Sequence, residues 1–350
     1  MHAPCYSSLD DALEAIGPYG IELKNGNSNH APMVAEALCA LGRPDAVPPW
    51  IERYRARMSP RPPQADRIAP GEWRGALGRR ERFADWARFF VEELDAAPWE
   101  AVLDRWVDRL APGFCAAATH GPIRVGHAVR AVADGETPAR RRELADALAG
   151  WAATYRELPV SPGPGSGTMP PRRAIAEVPI VPSERRRAGN IVAALAALDD
   201  FPQFAPTIGL IDTSGDIDTL VAGLADTFAR VFLANVRDIP TAIAFIHGVT
   251  SLAALGNLAP HLEATTIRVA ARYAWQAACG LYACYGGVPA TAEPIEPCDD
   301  NADALAERAI ANGDEHVIKF TEACLNRNAI APSPAYPAAV AHLLGVIVRR

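Results

Sequence analysis

Hydrophobic residues along most of this chain recur at intervals of three and four, which is the period of an amphipathic helix. The pattern is clearest in ERFADWARFFVEEL, WEAVLDRWVDRL, RRELADALAGWAATYREL and DIDTLVAGLADTFARVFLANV. Strand-like segments are scarce. AIAEVPIVP (174–182) and FAPTIGLID (204–212) are short and broken by proline, so we interpret both as extended connectors. The pattern predicts an all-α fold, a multi-helix bundle with few or no strands.

One segment interrupts the helical pattern near the middle of the chain. Residues 158–182 begin LPVSPGPGSGTMPPRR, a composition rich in proline, glycine and serine that is typical of a linker or long loop. It divides the chain into two helical halves, residues 1–157 and 183–350. A chain of 350 residues can form one large domain or two of ordinary size. We expect a single helical domain, residues 1–350, that contains both halves.

Composition and charge narrow the class of protein. Hydrophobic residues make up 49% of the chain, and its formal net charge is -7, which disfavours a general attraction to nucleic acid. No signal peptide is visible at the N-terminus. The longest apolar run (241–258) contains His247 and is shorter than the ~20 residues of a membrane span, so we interpret it as a buried helix. Seven cysteines without a CxxC pair indicate a reduced, cytoplasmic protein. The sequence leaves the oligomeric state open.

The histidines are the first candidate chemistry, since no glycine-rich nucleotide loop or Gly-x-Ser-x-Gly elbow is recognisable. His30 lies at a predicted helix start, His120 and His127 share one helical face, and His247 lies in the most apolar helix. An unpartnered buried imidazole costs about 1–3 kcal/mol, and one metal ion would satisfy several. Each histidine alone is more often a hydrogen-bonded core residue. No Glu-x-x-His motif accompanies them, so the carboxylate-rich di-iron pattern is absent.

A lysine near the last of these histidines needs its own explanation. The chain has 34 basic residues, of which only Lys24 and Lys319 are lysines, and Lys319 lies three residues after His316 on the same predicted helix face. Burial would lower the pKa of this amine. A neutral amine reacts with carbon dioxide to give a carbamate, an oxygen ligand for a divalent metal. The alternative, a lysine reaching solvent from the helix edge, is favoured by spacing alone.

Four segments together resemble one known family. SNHAPMVAEAL, ATHGPIRVGHAVRA, AFIHGVTSLAAL and DEHVIKFTEACL occur in the order of the signature segments of the questin oxidase family, and the resemblance extends from about residue 27 to 325. Fungal members act on anthraquinones and related aromatic polyketides and open an oxygenated ring. A related ring-cleaving oxygenase binds non-haem iron through four histidines and a carboxylated lysine. Carried over by motif, the implied ligands of Fe(II) are His30, His120, His247, His316 and the carbon dioxide adduct of Lys319.

Two further residues are candidate catalytic residues. Compared with the family motif, His127 would lie behind the ligands or act as an alternate ligand. From its position four residues after His120, we expect Arg124 to pair with a substrate phenolate or with Asp314. NADPH is implied as a reductant, although no motif for binding it is visible. The partners would be dioxygen and a small aromatic substrate in a dry, aromatic-lined cavity. The candidate lining residues, for which core packing is an equal alternative, are Tyr273, Trp275, Tyr282 and Tyr285.

Two other functions remain open from the sequence. Histidines with a carbamylated lysine also suit a zinc-dependent hydrolase, although such sites usually add an aspartate ligand and a barrel fold. A non-catalytic helical ligand-binding protein is the third hypothesis. The identity of the metal separates the oxygenase from the hydrolase, and oxygen consumption with a hydroquinone separates the oxygenase from the binding protein.

Overall fold

The computed structural model describes residues 2–161, 167–288, 295–296 and 298–348. The α-helices within these residues are α1 (Leu9–Ile16), α2 (Ala31–Ala40), α3 (Val47–Arg55), α4 (Phe83–Ala96), α5 (Trp99–Leu110), α6 (His120–Asp134), α7 (Pro138–Ala153), α8 (Pro171–Ala174), α9 (Ile191–Leu195), α10 (Ile217–Asn235), α11 (Ile239–Leu258), α12 (Ala264–Tyr285), α13 (Ala302–Asn312), α14 (Glu315–Ile330) and α15 (Ala335–Val346). The prediction of an all-α fold is confirmed.

Two short strands form a small antiparallel sheet that the sequence analysis missed. β1 (Tyr19–Leu23) pairs with β2 (Met58–Pro60), and the register between Tyr19–Pro60 and Leu23–Met58 contains an irregularity. Short 3₁₀-helices connect many of the longer elements. They are Pro44–Ala46, Trp73–Ala76, Arg80–Arg82, Ala111–Gly113, Ile175–Glu177, Ser183–Arg185, Ala196–Asp200, Pro202–Gly209 and Ala259–His261.

The segments expected to be extended connectors are partly helical instead. Of the predicted linker 158–182, residues 162–166 lie outside the described residues. α8 and the turn Ile175–Glu177 fall in the rest of it, and most of 204–212 lies in the 3₁₀-helix Pro202–Gly209. Proline removes an amide donor, and a 3₁₀-helix is used in short pieces, so a proline-rich connector can turn tightly without extending an α-helix.

α11 is the central helix of the fold. It packs against α6, α10, α12 and α14, and the residues buried on it lie on every face, as expected for a helix that is hydrophobic all round. It is long and apolar enough to cross a membrane, but 72% of its apolar window is buried inside the protein. The expectation of a buried core helix is therefore confirmed. The largest buried apolar cluster includes residues from both predicted halves, among them Trp106 and Phe245.

Local sequence features set where the key helices begin and how closely they pack. Asp238 caps α11 by accepting from the Thr241 amide at 2.9 Å, and Asp314 caps α14 by accepting from the His316 amide at 2.8 Å. Gly126 on α6 allows close contact with α11, since a Cβ at this position would lie 2.7 Å from the Ala254 Cβ. This close packing fixes the separation of two helices that carry candidate ligands.

Candidate metal centre

Four of the predicted ligands come together at the N-terminal parts of three helices and the middle of a fourth. His30 is the N-cap of α2, His120 opens α6, and His316 is the second residue of α14. His247 lies inside α11, which packs against both α6 and α14. The N-cap position of α2 belongs to His30, and the side chain of the preceding residue, Asn29, accepts from the Ala31 amide at 3.0 Å.

Three of the imidazoles bring their Nε2 atoms close together. His120 Nε2 lies 2.8 Å from His30 Nε2 and 3.2 Å from His247 Nε2. The ring centroids of His30 and His316 are 4.7 Å apart, and one ligand atom each from His30, His247 and His316 falls within 4.8 Å of the others. These last three histidines could hold a single metal ion, and His120 lies directly beside two of them.

The other ring nitrogen of each histidine has a partner outside this cluster. The partners are the Ala117 carbonyl for His120 (2.6 Å), the Ile243 carbonyl for His247 (2.6 Å), the Tyr54 hydroxyl for His30 (3.3 Å) and the Asp314 carboxylate for His316 (3.3 Å). A carbonyl can only accept, so Nδ1 of His120 and of His247 donates and Nε2 of each neutral ring keeps a lone pair, whereas the Tyr54 hydroxyl can donate to His30 Nδ1 or accept from it. Metal-bound histidines are usually fixed in this way.

The electrostatics of the cluster favour neutral rings. Burial, with the charges of His316 and Lys319, lowers the pKa of His247 to about 3. Burial and the neighbouring cations hold the pKa values of His30 and His120 well below the usual range of histidine. The Nε2 lone pairs of His120 and His247, 3.2 Å apart, repel each other unless a cation lies between them. Imidazole ligands suit iron, zinc, copper and nickel, so the residues present fit a divalent metal of this class.

Lys319 is fully enclosed beside the histidines. Its relative exposure is 1%, and burial lowers the pKa of its amine to about 7 despite the opposing charges of Glu315 and Asp314. Its charge acts on His30, His120 and His247, which places it in their surroundings. Within the described part of the chain, its Nζ makes no hydrogen bond or ion pair. The alternative of a lysine that reaches solvent is therefore wrong.

The backbone that leads into His120 is strained. Ala117, Ala118 and Thr119 have φ values of 47°, 58° and 71°, the left-handed region that residues with a Cβ rarely adopt. This turn points the Ala117 carbonyl at His120 Nδ1 and lets the Thr119 hydroxyl donate to the His247 carbonyl at 3.3 Å. Strain of this kind persists where the surrounding structure enforces it, most often at functional sites.

An open cavity of about 820 Å³, here called the central cavity, lies against the four histidines. Its volume is in the range of pockets that bind small molecules. The remaining residues along it are apolar, neutral polar or basic, with one acid. They are Leu23, Gly26, Asn27, Ser28, Ala117, Ala118, Gly189, Asn190, Ile191, Val192, Ala193, Ala196, Ile239, Pro240, Ile243, Tyr285, Arg57, Arg80, Arg156 and Glu315.

Three of the four aromatic residues predicted to line the substrate pocket do not line this cavity. Tyr285 does. Trp275 is completely buried and donates to the Thr207 carbonyl at 2.9 Å, Tyr282 is buried in the same apolar cluster, and Tyr273 packs against that cluster from outside. α12 is packed by α10, α11 and the Pro202–Gly209 turn, so its aromatic residues fill the core. For these three, the core-packing alternative is correct.

Arg124 and His127 lie on α6 but not among the inward-facing ring nitrogens. Arg124 is buried and forms a two-point ion pair with Glu143 at 2.7 and 2.8 Å, so the expected pairing with Asp314 is wrong. Arg124 and His120 both line a second, smaller cavity. The Nδ1 of His127 contacts Glu36 at 2.6 Å. Neither side chain lines the large cavity that lies against the four histidines. The predicted catalytic roles of Arg124 and His127 therefore stay predictions.

A buried charge cluster ties together the three helices that start at the histidines. Glu36 of α2 accepts from Arg130 of α6 at 2.7 and 2.6 Å and from the Tyr6 hydroxyl at 2.8 Å. Arg130 also pairs with Glu322 of α14. Burial opposes the charged form of Glu36, but Arg130 and His127 outweigh it and lower the pKa of Glu36 to about 2. The cluster holds α2, α6 and α14 in register beyond the ligands.

Several residues of the site were missed by the sequence analysis. Asp314 could have been recognised, because an aspartate after glycine and before a helical run is a common N-cap. Tyr54 and the arginines of the cavity wall come from separate turns and helix ends, and no local pattern marks them. The left-handed turn before His120 was also invisible, since AAATHG contains no glycine at the strained positions.

The chain is similar to one known family across half of its length. The family model described as questin oxidase-like matches residues 28–204, and the chain belongs to this family. No match was found among curated proteins. The matched range includes His30, His120 and His127, whereas His247, His316 and Lys319 lie beyond it. Their place at the site rests on the geometry described above.

Proposed function

We propose that this member of the questin oxidase-like family is a metal-dependent oxygenase that cleaves a ring of an anthraquinone- or hydroquinone-type aromatic substrate. The family implies an oxidase or oxygenase acting on such molecules. The proposed ligands of Fe(II) are His30, His120, His247, His316 and carboxylated Lys319. The observation that carries the proposal is the convergence of four histidine side chains, two of which, His120 and His247, have Nδ1 held by a backbone carbonyl.

Carboxylation of Lys319 follows from its surroundings. A pKa near 7 leaves much of the amine neutral at physiological pH, so its lone pair can attack carbon dioxide. The Nζ–C bond forms while one C–O π bond of carbon dioxide breaks, Nζ releases one proton, and the neutral amine becomes an anionic carbamate. An anion is better matched than an ammonium to a cation held among four neutral imidazoles. Arginine could not replace this lysine because its guanidinium stays protonated.

Bound iron(II) would supply the one-electron chemistry that allows dioxygen to react with a closed-shell phenol. The chain contributes the rest. Two backbone carbonyls hold His120 and His247 in one tautomer, and Tyr54 and Asp314 contact the Nδ1 atoms of His30 and His316. Apolar residues such as Ile243 and Val192 give the aromatic substrate a dry wall beside the histidines. NADPH remains a proposed reductant, and the unpaired cysteines support the proposal of a cytoplasmic location.

The test uses the two lysines as a matched pair. Wild type, Lys319→Met and Lys24→Met would be purified anaerobically with Fe(II) and ¹³C-bicarbonate. Lys24 is exposed and donates to the Ala56 carbonyl at 2.8 Å, so its variant controls for loss of a lysine elsewhere. We expect near-stoichiometric iron and a ¹³C carbamate resonance in wild type and Lys24→Met, and loss of both in Lys319→Met. Oxygen uptake with a hydroquinone panel then tests turnover.

Two results would change the conclusion. Zinc bound in place of iron, with the carbamate retained, would favour the hydrolase, although the helical fold is not the barrel in which such sites usually occur. The absence of any bound metal, together with an unmodified Lys319, would leave a helical protein of the ligand-binding kind and end the oxygenase proposal.

A further inference from the structure

The charged residues on the wall of the central cavity are mostly basic. Arg57, Arg80 and Arg156 line it, and Glu315 is the one acid of the described lining. Each arginine also has an acidic partner, which is Glu315 for Arg57, Glu22 for Arg80 and Asp199 for Arg156. These pairs balance in charge, so the binding of an anion depends on whether an arginine keeps donors that its acidic partner does not use.

The three arginines are not equally free to bind a ligand. Arg57 uses both terminal nitrogens on Glu315, at 3.1 and 2.8 Å. Arg156 uses both of its terminal nitrogens, one on the Val192 carbonyl at 3.2 Å and one on Asp199 at 2.9 Å. These two are held by the protein, and neither presents an open pair of donors.

Arg80 is different. Only its Nη1 is engaged, by Glu22, so Nε and Nη2 have no partner within the described residues. These two nitrogens form one edge of the guanidinium, which matches the two oxygens of a carboxylate. Arg80 lines both the central cavity and the smaller cavity beside His120, which places it at the histidine end. Its ion pair with Glu22 is half exposed and therefore weak.

Another part of the cavity lining is apolar. It includes Ile191, Val192 and Ile243, and Ile239 at the start of α11 also lines the cavity. A flat aromatic ligand would lie on this wall and direct an acidic substituent toward Arg80.

We propose that the central cavity selects an anionic aromatic substrate, a ring system that carries a carboxylate, and that Arg80 determines this selectivity. The inference rests on the proposed function, because it specifies the aromatic substrate of that same site. Arg80 is a binding residue for the substituent and takes no part in ring opening.

The experiment compares two probes that differ only in the acid group, 1,8-dihydroxyanthraquinone and its 3-carboxylic acid. Both would be titrated under nitrogen into the full-length, iron-loaded protein near pH 7, with quenching of tryptophan fluorescence as the readout. Wild type should bind the acid about tenfold more tightly or better, the range of a charge-assisted two-point contact that solvent partly screens. In Arg80→Gln this preference should fall toward one while binding of the neutral probe stays the same.

Arg79→Gln is the matched control, because Arg79 is an exposed neighbour outside the cavity lining and should leave the preference unchanged. A measurement on wild type alone keeps the test valid if Arg80→Gln folds poorly. Added NaCl should weaken binding of the acid and not of the neutral probe.

The outcomes separate the two proposals. Equal binding of both probes by wild type overturns the selectivity and leaves the aromatic substrate class standing. A preference that survives in Arg80→Gln overturns the role of Arg80. Binding of neither probe ends the proposed substrate class and the inference with it.

Discussion

The left-handed turn before His120 leads us to predict that an alanine-to-glycine substitution there stabilises the protein, which is the opposite of its usual effect. Replacing alanine by glycine normally destabilises a fold, because glycine loses more conformational freedom, about 0.5–1 kcal/mol. At Ala117 the φ value is 47°, and a residue with a Cβ is disfavoured there by roughly 1–2 kcal/mol. Ala117→Gly should therefore change the free energy of unfolding by roughly 0 to 1.5 kcal/mol in the stabilising direction.

Ala222→Gly is the matched comparison. Ala222 lies within α10 and is half-buried, like Ala117, so the same substitution there should cost about 1 kcal/mol. The two variants should then differ by roughly 1 to 2.5 kcal/mol. For a chain of 350 residues, an unfolding entropy of about 2.1 cal/mol/K per residue converts this difference to roughly 1 to 3 °C in Tm.

The assay is thermal unfolding of the metal-free proteins by calorimetry, since bound metal would raise Tm by mass action and mask the effect. Iron binding is measured in parallel. Ala117→Gly keeps the left-handed φ that points the Ala117 carbonyl at His120, so we expect unchanged iron binding in the variant that melts higher. If Ala117→Gly melts as low as Ala222→Gly, the backbone at 117–119 is not strained in solution and this explanation of how His120 is held fails.

Three other predictions concern the helices that carry the ligands. Gly126→Ala should push α6 away from α11, lower the free energy of unfolding by about 1–3 kcal/mol and weaken iron binding. Gly215→Ala is the control, because a Cβ at this position meets nothing within 4 Å, and it should change neither stability nor iron binding. Thermal unfolding and metal titration measure both effects. Arg130→Met leaves two carboxylates buried without their cation and should cost about 3–5 kcal/mol in urea unfolding, and a loss as small as that of a surface arginine would refute the role of the cluster. Glu36 has a folded pKa of about 2, below its usual 4.5, so the stability it contributes is full above pH 4.5 and is lost as the pH falls toward 2. Glu36→Gln should be less stable than wild type near neutral pH by on the order of 3 kcal/mol, and the gap should close in acid; a gap independent of pH would contradict it.

The sequence alone predicted the fold class and the positions of most helices, because these follow from the period of apolar residues. It could not show which buried face lines a cavity. Trp275 and Tyr282 have the same helical spacing whether they surround a substrate or fill the core, and only the packing around α12 decides. The sequence also could not show that Arg57, Arg80 and Arg156 line one cavity, because they come from three separate places in the chain.

The histidine site was accessible from the sequence for a different reason. A histidine within an apolar helix is rare enough that each one marks a candidate site. Lys319 stands out because the chain has two lysines and 32 arginines. What the sequence could not supply was the direction of each ring. The inward Nε2 of His120 depends on a backbone turn at Ala117, and that of His247 on the Ile243 carbonyl one turn earlier in its own helix.

These features explain why the site would need a ligand. In the metal-free protein, a buried amine has lost its hydration, the Nε2 lone pairs of His120 and His247 face each other at 3.2 Å, and three residues hold left-handed backbone. Each feature destabilises the fold, yet the buried cluster around Arg130 keeps α2, α6 and α14 together. A cation with a carboxylated Lys319 would relieve the first two at once. Iron with bicarbonate should therefore raise Tm more than iron without it, and only while Lys319 is present.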